Sequence, residues 1–265
     1  MLKFEVSTLG FPLTNVHRMK KLPRDFGIEI FYEWGGTSFW LESVKRVMQD
    51  RSGSFSVHGP FGYCDFAQTE SETELFRFMT EPFELYHKLN GCHYVVHTNG
   101  HVGKDVPESE RAAMRALVAE RLERFQEICD AEGIGMVVEN VPDGGNGLFN
   151  HDQFLSLFTE NPKLNCIIDT GHAHIEHYDM YEIQRRLGSR LKAYHVHDNA
   201  GAADSHLRFM SGIPGGIDWH RFVEGVRNFT PDATMTFEYN PKPDLGIQAY
   251  GDDQKLLLDM AAEIQ

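Results

Sequence analysis

The chain has 265 residues, 41% hydrophobic and 24% charged, an ordinary globular composition that excludes a disordered, collagen-like or disulfide-scaffold chain. Its 25 basic and 39 acidic side chains leave a net charge of −14, so the surface is a poor general attractor for nucleic acid or anionic lipid. The four cysteines, at 64, 92, 129 and 166, form no C-x-x-C pair and are read as buried thiols.

From the N-terminus, strand patterns fall at 3–8 (KFEVST), 27–33 (GIEIFYE), 54–58 (SFSVH), 92–98 (CHYVVHT), 134–140, 165–169 (NCIID), 191–197 (LKAYHVH) and 234–239 (TMTFEY). Each is rich in Val, Ile, Phe and Tyr, and most follow a Gly, Asn or Ser. Helix patterns alternate with them: a weak one over 14–23, then 38–49, 70–90, 108–131, 151–160, 176–188 and 218–229. A last one carries Leu256, Leu257, Met260 and Ile264. The clearest is 108–131, where Met114, Leu117, Val118, Leu122, Phe125, Ile128 and Cys129 recur at three and four, opposite a charged face. Eight strands each followed by a helix-like segment predict an α/β fold, a single (β/α)8 TIM barrel over residues 1–265. A doubly wound sheet would want a nucleotide-binding glycine turn, and Gly35-Gly36 does not complete one. The N-terminal stretch lacks the apolar core of a signal peptide and no run is long enough to span a membrane, so a reducing cytoplasm is expected.

Barrel active sites sit at the carboxyl ends of the strands. Here those ends deliver His58 (VHGPF), His97 (VVHTNG), Glu139 (VVENVP), Asp169 with His172 (IIDTGH), His195 with His197 (YHVHD), Asp204 with His206 (ADSHL) and Glu238 (FEYNP). Imidazoles and carboxylates at six successive ends are costly to bury unpaired, and a divalent cation is their natural partner. His195 and His197, two apart on a strand, are expected to face the lumen together. Gly171 is read as allowing a sharp turn between Asp169 and His172. Glu139 and Glu238 come from strands across the mouth and could act as acid and base on a bound carbon centre. Trp34, Phe61, Phe31 and Tyr239 are candidates to shape a sugar-sized pocket. The glycine-rich loop 212–216 gives a weak phosphate signal.

The run V-E-N, D-T-G-H, H-V-H-D, D-x-H, G-x-x-G-G-I-D-W and F-E-Y resembles the xylose isomerase-like barrels over about residues 27–240. That superfamily includes sugar isomerases and epimerases, inosose and dehydroshikimate dehydratases, and endonuclease IV. The resemblance implies one divalent cation on Glu139, Asp169, His195 and Glu238, with the two glutamates as the acid/base pair and His172 on the substrate. Its endonuclease IV branch implies three zinc ions, adding His58, His97, His172, Asp204 and His206. Against that branch, 33–38 and 59–63 lack the expected DNA-contact and duplex-penetrating sequences, and no basic run offsets the net charge of −14.

The expected function is a metal-dependent isomerase or epimerase, or a related dehydratase, of a monosaccharide, sugar phosphate or polyol-derived ketone, working through an enediolate. The alternatives are a zinc phosphodiesterase acting on abasic DNA and a non-catalytic metal- or sugar-binding barrel. The cofactor is one to three ions of manganese, zinc, cobalt or magnesium. His172, His197, Trp34 and Phe61 are the expected substrate contacts. The partner is a small carbohydrate, neither nucleic acid nor membrane, and a homo-oligomer is left open.

Overall fold

Eight parallel strands pair in chain order, and the eighth closes on the first. The computed structural model describes residues 2–49, 51–68, 71–103, 105–144, 147–241 and 245–264. The strands are β1 (Lys3–Ser7), β2 (Gly27–Phe31), β3 (Phe55–His58), β4 (His93–His97), β5 (Met136–Glu139), β6 (Cys166–Asp169), β7 (Leu191–Val196) and β8 (Thr234–Phe237). The helices are α1 (Thr37–Met48), α2 (Glu72–Thr80), α3 (Phe83–Lys88), α4 (Glu108–Glu132), α5 (His151–Glu160), α6 (Thr170–Ile175), α7 (Met180–Leu187), α8 (Trp219–Phe229) and α9 (Gln248–Glu263). The molecule is therefore a (β/α)8 barrel, as its alternating patterns predict.

Both faces of every strand are covered, so alternation sorts residues between two interiors rather than between core and water. Val6, Ile28, Ile30, Val57, Tyr94, Val96, Val138, Ile168, Tyr194, Val196, Met235 and Phe237 face the helices and belong to the main core. Val95, Val137, Ile167 and Ala193 form a separate apolar cluster within the barrel. Opposite them the lumen is polar: Glu5, Ser7, Glu29, Ser56, Thr234 and Thr236 are all buried.

Three crossovers depart from their sequence patterns. The segment expected as a helix over 14–23 is a 3-10 helix, Leu13–Lys21. Val16, Met19 and Leu22 are its buried apolar residues, and a spacing of three aligns side chains along a 3-10 helix, not an α-helix. The single pattern over 70–90 divides into α2 and α3 at Pro82, which has no N–H to continue the ladder. The pattern over 176–188 begins only at Met180, because His177 has φ 56° and Asp179 then caps α7 by accepting from Glu182 N.

Candidate metal centre

The four donors of the inner group come from four different strands. Glu139 ends β5, Asp169 ends β6, His195 is the fifth residue of β7, and Glu238 follows β8. Asp169 lies in register with His195, and His97 with Glu139. The His195 ring is completely buried. Its Nδ1 faces Glu139 Oε1 at 3.2 Å, Glu238 Oε2 at 3.4 Å and Asp169 Oδ2 at 3.8 Å. This nitrogen nevertheless has no hydrogen-bond partner. Its Nε2 lies 2.9 Å from Glu29 Oε1 on the opposite side.

Three carboxylates and one nitrogen, converging in a buried space at such separations, match a cation's donor shell. Ligand atoms about 2.0–2.2 Å from one ion lie roughly 3–3.6 Å from each other. Buried carboxylates left without a cation would be far more costly than the assembled site. The residues present therefore fit a divalent ion. Burial alone would depress His195, but Glu238, Glu29 and Glu139 outweigh it and hold its pKa well above the ordinary histidine value. Burial likewise pushes Glu139 up, while the imidazoles of His195 and His97 hold it well below the usual carboxylate range.

A second group adjoins the first. Glu139 Oε2 is 3.3 Å from both His58 Nε2 and His97 Nε2, which are 3.2 Å apart. Glu139 Oε2 has no hydrogen-bond partner. His58 Nδ1 donates to the Gly59 carbonyl at 2.9 Å, which leaves Nε2 turned toward Glu139.

The outer group is satisfied differently. Asp204 Oδ2 lies 3.3 Å from His172 Nε2 and 3.1 Å from His206 Nε2. The other nitrogens of these rings reach the carbonyls of Asn140 and Glu238, at 2.9 and 2.8 Å. Against the depressing effect of burial, Asp204 and Glu238 raise His206 to about 9. Burial pushes Asp204 up, but His172 and His206 hold it well below the carboxylate range. Ligand atoms of His172, His197, Asp204 and His206 do lie within 4.8 Å of one another, close enough for an ion.

Of these groups, His58, His97, Glu139, His172, Asp204, His206 and Glu238 line a cavity of about 420 Å³ whose walls include Phe31, Phe61, Asn99, His101 and Asn240. The Phe61 ring stacks on His97 at 4.7 Å, with its amide and that of Gly62 both donating to Glu33 at 2.6 Å. Residues 20–259 match the xylose isomerase-like TIM barrel family. The chain belongs to that family. No curated protein sequence matches it.

Among solved xylose isomerase-like folds, a D-tagatose 3-epimerase-like protein superposes with a TM-score of 0.81 at 22% identity, over 99% of each chain. The TTHB071 protein from Thermus thermophilus, soaked with ZnCl2, gives 0.71 at 16% identity over 100% of both chains. The 3-keto-D-glucoside 4-epimerase of E. coli gives 0.70 at 16% identity over 98% of this chain and 100% of that one. At these identities the likeness is one of fold.

Within this xylose isomerase-like barrel several sequence expectations move. His197 is fully buried behind Asp169, with Nε2 2.8 Å from Oδ1, and is not among the residues lining the cavity. His172 lies in α6, not in a loop, and Asp169 caps that helix by accepting from His172 N at 2.7 Å. Gly171 is required by close approach rather than by a turn, since a Cβ there would sit 2.0 Å from His197 Cε1. Tyr239 turns away from the rim and donates to Asp253 at 2.9 Å. The amides of Ser211 and Ile217, which flank loop 212–216, donate to the Asp198 carboxylate. The Trp34 side chain lies outside the described residues. Glu29 escapes the sequence reading, although its place among alternating positions of GIEIF marks it as lumen-facing once both sides of the strand are known to be buried.

Proposed function

We propose that the chain is a divalent-metal-dependent isomerase or epimerase of a monosaccharide or polyol-derived ketone. Supporting this most directly is the unpartnered His195 Nδ1 facing Asp169 and the two cavity-lining glutamates, Glu139 and Glu238. These four residues would hold the ion, as the resemblance to sugar isomerases implies. A bound divalent cation supplies Lewis-acid polarisation of a substrate carbonyl.

The proton work falls to the two glutamates. Both line the cavity. Glu139, held ionised by His195 and His97 despite its burial, is suited to take the proton from the carbon beside the carbonyl. Glu238, whose Oε1 accepts from the Ser7 hydroxyl at 3.2 Å, enters the step carrying a proton taken from solvent and delivers it to the enediolate, while Glu139 returns its proton to solvent to complete the cycle. Return to the opposite face of the same carbon gives an epimer; return to the neighbouring carbon gives an isomer. Phe31 and Phe61 close one wall against water and offer a flat apolar surface to the C–H face of a sugar.

The test is incubation of the manganese-, cobalt- or zinc-loaded protein with ketopentoses, ketohexoses and inososes in D2O. Deuterium should appear at the carbon next to the carbonyl, together with a new epimer or isomer. Glu139→Gln and Glu238→Gln should each slow this exchange by about 10²–10⁴-fold, and Asp204→Ala by less. The adjoining His58–His97–Glu139 group favours a second reading, a zinc phosphodiesterase on abasic DNA. Chelator-sensitive nicking of an abasic duplex, with no deuterium entering any sugar, would replace the first reading by the second.

A further inference from the structure

An imidazole that ligates a metal is neutral, with one proton for two nitrogens, and His195 points its two nitrogens in opposite directions. Nδ1 points to the rim carboxylates without a hydrogen bond, while Nε2 points down the lumen to Glu29 Oε1 at 2.9 Å. Glu29 is on β2, in register with Ser7 and Ser56, 1% exposed, and is not among the residues lining the cavity. No basic side chain other than His195 pairs with it among the described residues.

We infer that Glu29 is the positioning residue of the metal centre: by accepting the Nε2 proton of His195 it fixes the tautomer that turns the Nδ1 lone pair toward Glu139, Asp169 and Glu238. This rests on the reading of His195 as a metal ligand. A carboxylate behind a ligating imidazole raises its basicity and holds its plane, and loss of such a partner weakens metal binding by about 10–100-fold. The geometry also defines the rival arrangement. Glu29, His195 and Glu238 have ligand atoms within 4.8 Å of one another, so an ion on Nε2 with Glu29 as a direct ligand would require the proton to sit on Nδ1.

The experiment uses the full chain labelled with 15N-histidine, stripped of metal and reloaded with zinc. In the wild type, NMR should show the His195 Nδ1 metallated and a strongly downfield proton on Nε2. Glu29→Ala should abolish that downfield proton and weaken zinc by about 10–100-fold in a chelator competition. Glu29→Gln, which keeps an acceptor oxygen without the charge, should retain the Nε2 proton at a less extreme shift and lose less affinity. It carries the test if the alanine variant does not fold. A proton found on Nδ1 would overturn the inference by making Glu29 a ligand, as would zinc affinity unchanged within twofold in both variants. His195→Ala separates the premise from the inference. If that variant binds zinc as tightly as the wild type, the ligand reading itself is wrong; if it does not, the Glu29 variants decide the positioning role alone.

Discussion

Below the candidate centre, the Glu5 carboxyl is fully buried among Ser54, Ser56, Cys92 and Thr236. Burial, reinforced by the nearby Glu29, pushes its pKa up from 4.5 to about 7. Below pH 4.5 both folded and unfolded chains carry this proton. Between 4.5 and about 7 the unfolded chain releases it first, so stability falls as pH rises and levels off above the folded pKa. Glu5→Gln removes that slope. The variant should match the wild type near pH 4 and exceed it by about 3 kcal/mol at pH 8, read from urea denaturation at both values. A gap that does not widen with pH would show that Glu5 is not protonated in the fold. Sequence places Glu5 in a strand but does not show which buried neighbours its carboxyl meets once the barrel closes.

Among the connecting segments, the long one from β7 to α8 brings Asp204 and His206 to the rim without regular structure over most of its length. One carboxylate fastens it. Asp198, 2% exposed, accepts from Asn199 N, Ser211 N, Ser211 Oγ, Ile217 N and Trp219 Nε1, at 3.0, 3.1, 2.9, 3.2 and 3.4 Å. Asp198→Ala strands these donors, and buried donors without partners cost about 1–3 kcal/mol each when water cannot reach them. The variant should lose about 3 kcal/mol in urea denaturation and become sensitive to limited proteolysis between residues 199 and 218. Unchanged melting and cleavage would mean that the loop is held by other contacts. In the sequence this segment shows only glycines and a D-x-H pair. The convergence of its two ends on one carboxylate is a three-dimensional fact. Helix existence is easier to read than helix type: periodicity locates α4, α5 and α8 closely, whereas Pro82 and the three-residue spacing of Val16, Met19 and Leu22 are outweighed by the general expectation of one α-helix per crossover.

Taken whole, the molecule gathers three carboxylates around one buried imidazole inside a chain already at net charge −14. A ligand that binds only the folded state stabilises it by mass action, by about 2.7 kcal/mol when present at 100 times its dissociation constant. Loading with manganese, cobalt or zinc should therefore raise the melting temperature by roughly 5–10 °C, and EDTA should reverse the shift. Glu238→Gln and His195→Ala should shrink it. An equal rise in His195→Ala would place the stabilising ion elsewhere. No helix among the described residues is long and apolar enough to cross a membrane, in keeping with the absence of a long apolar run.

Strand number, barrel class and the residues at the strand ends are legible because they follow from local pattern. Alternating apolar runs define strands, and in a parallel barrel every strand end faces the same rim. Which of those residues share an ion, which hold one another and which merely stand behind a ligand depends on distances between strands far apart in the chain. Glu29 on β2 meets His195 on β7 across 166 positions, and His197 slides behind Asp169 because Gly171 leaves room for its ring. Local patterning carries no record of such meetings. They arise only when the barrel closes and a side chain's neighbours are set by the curvature of the sheet rather than by its place in the sequence.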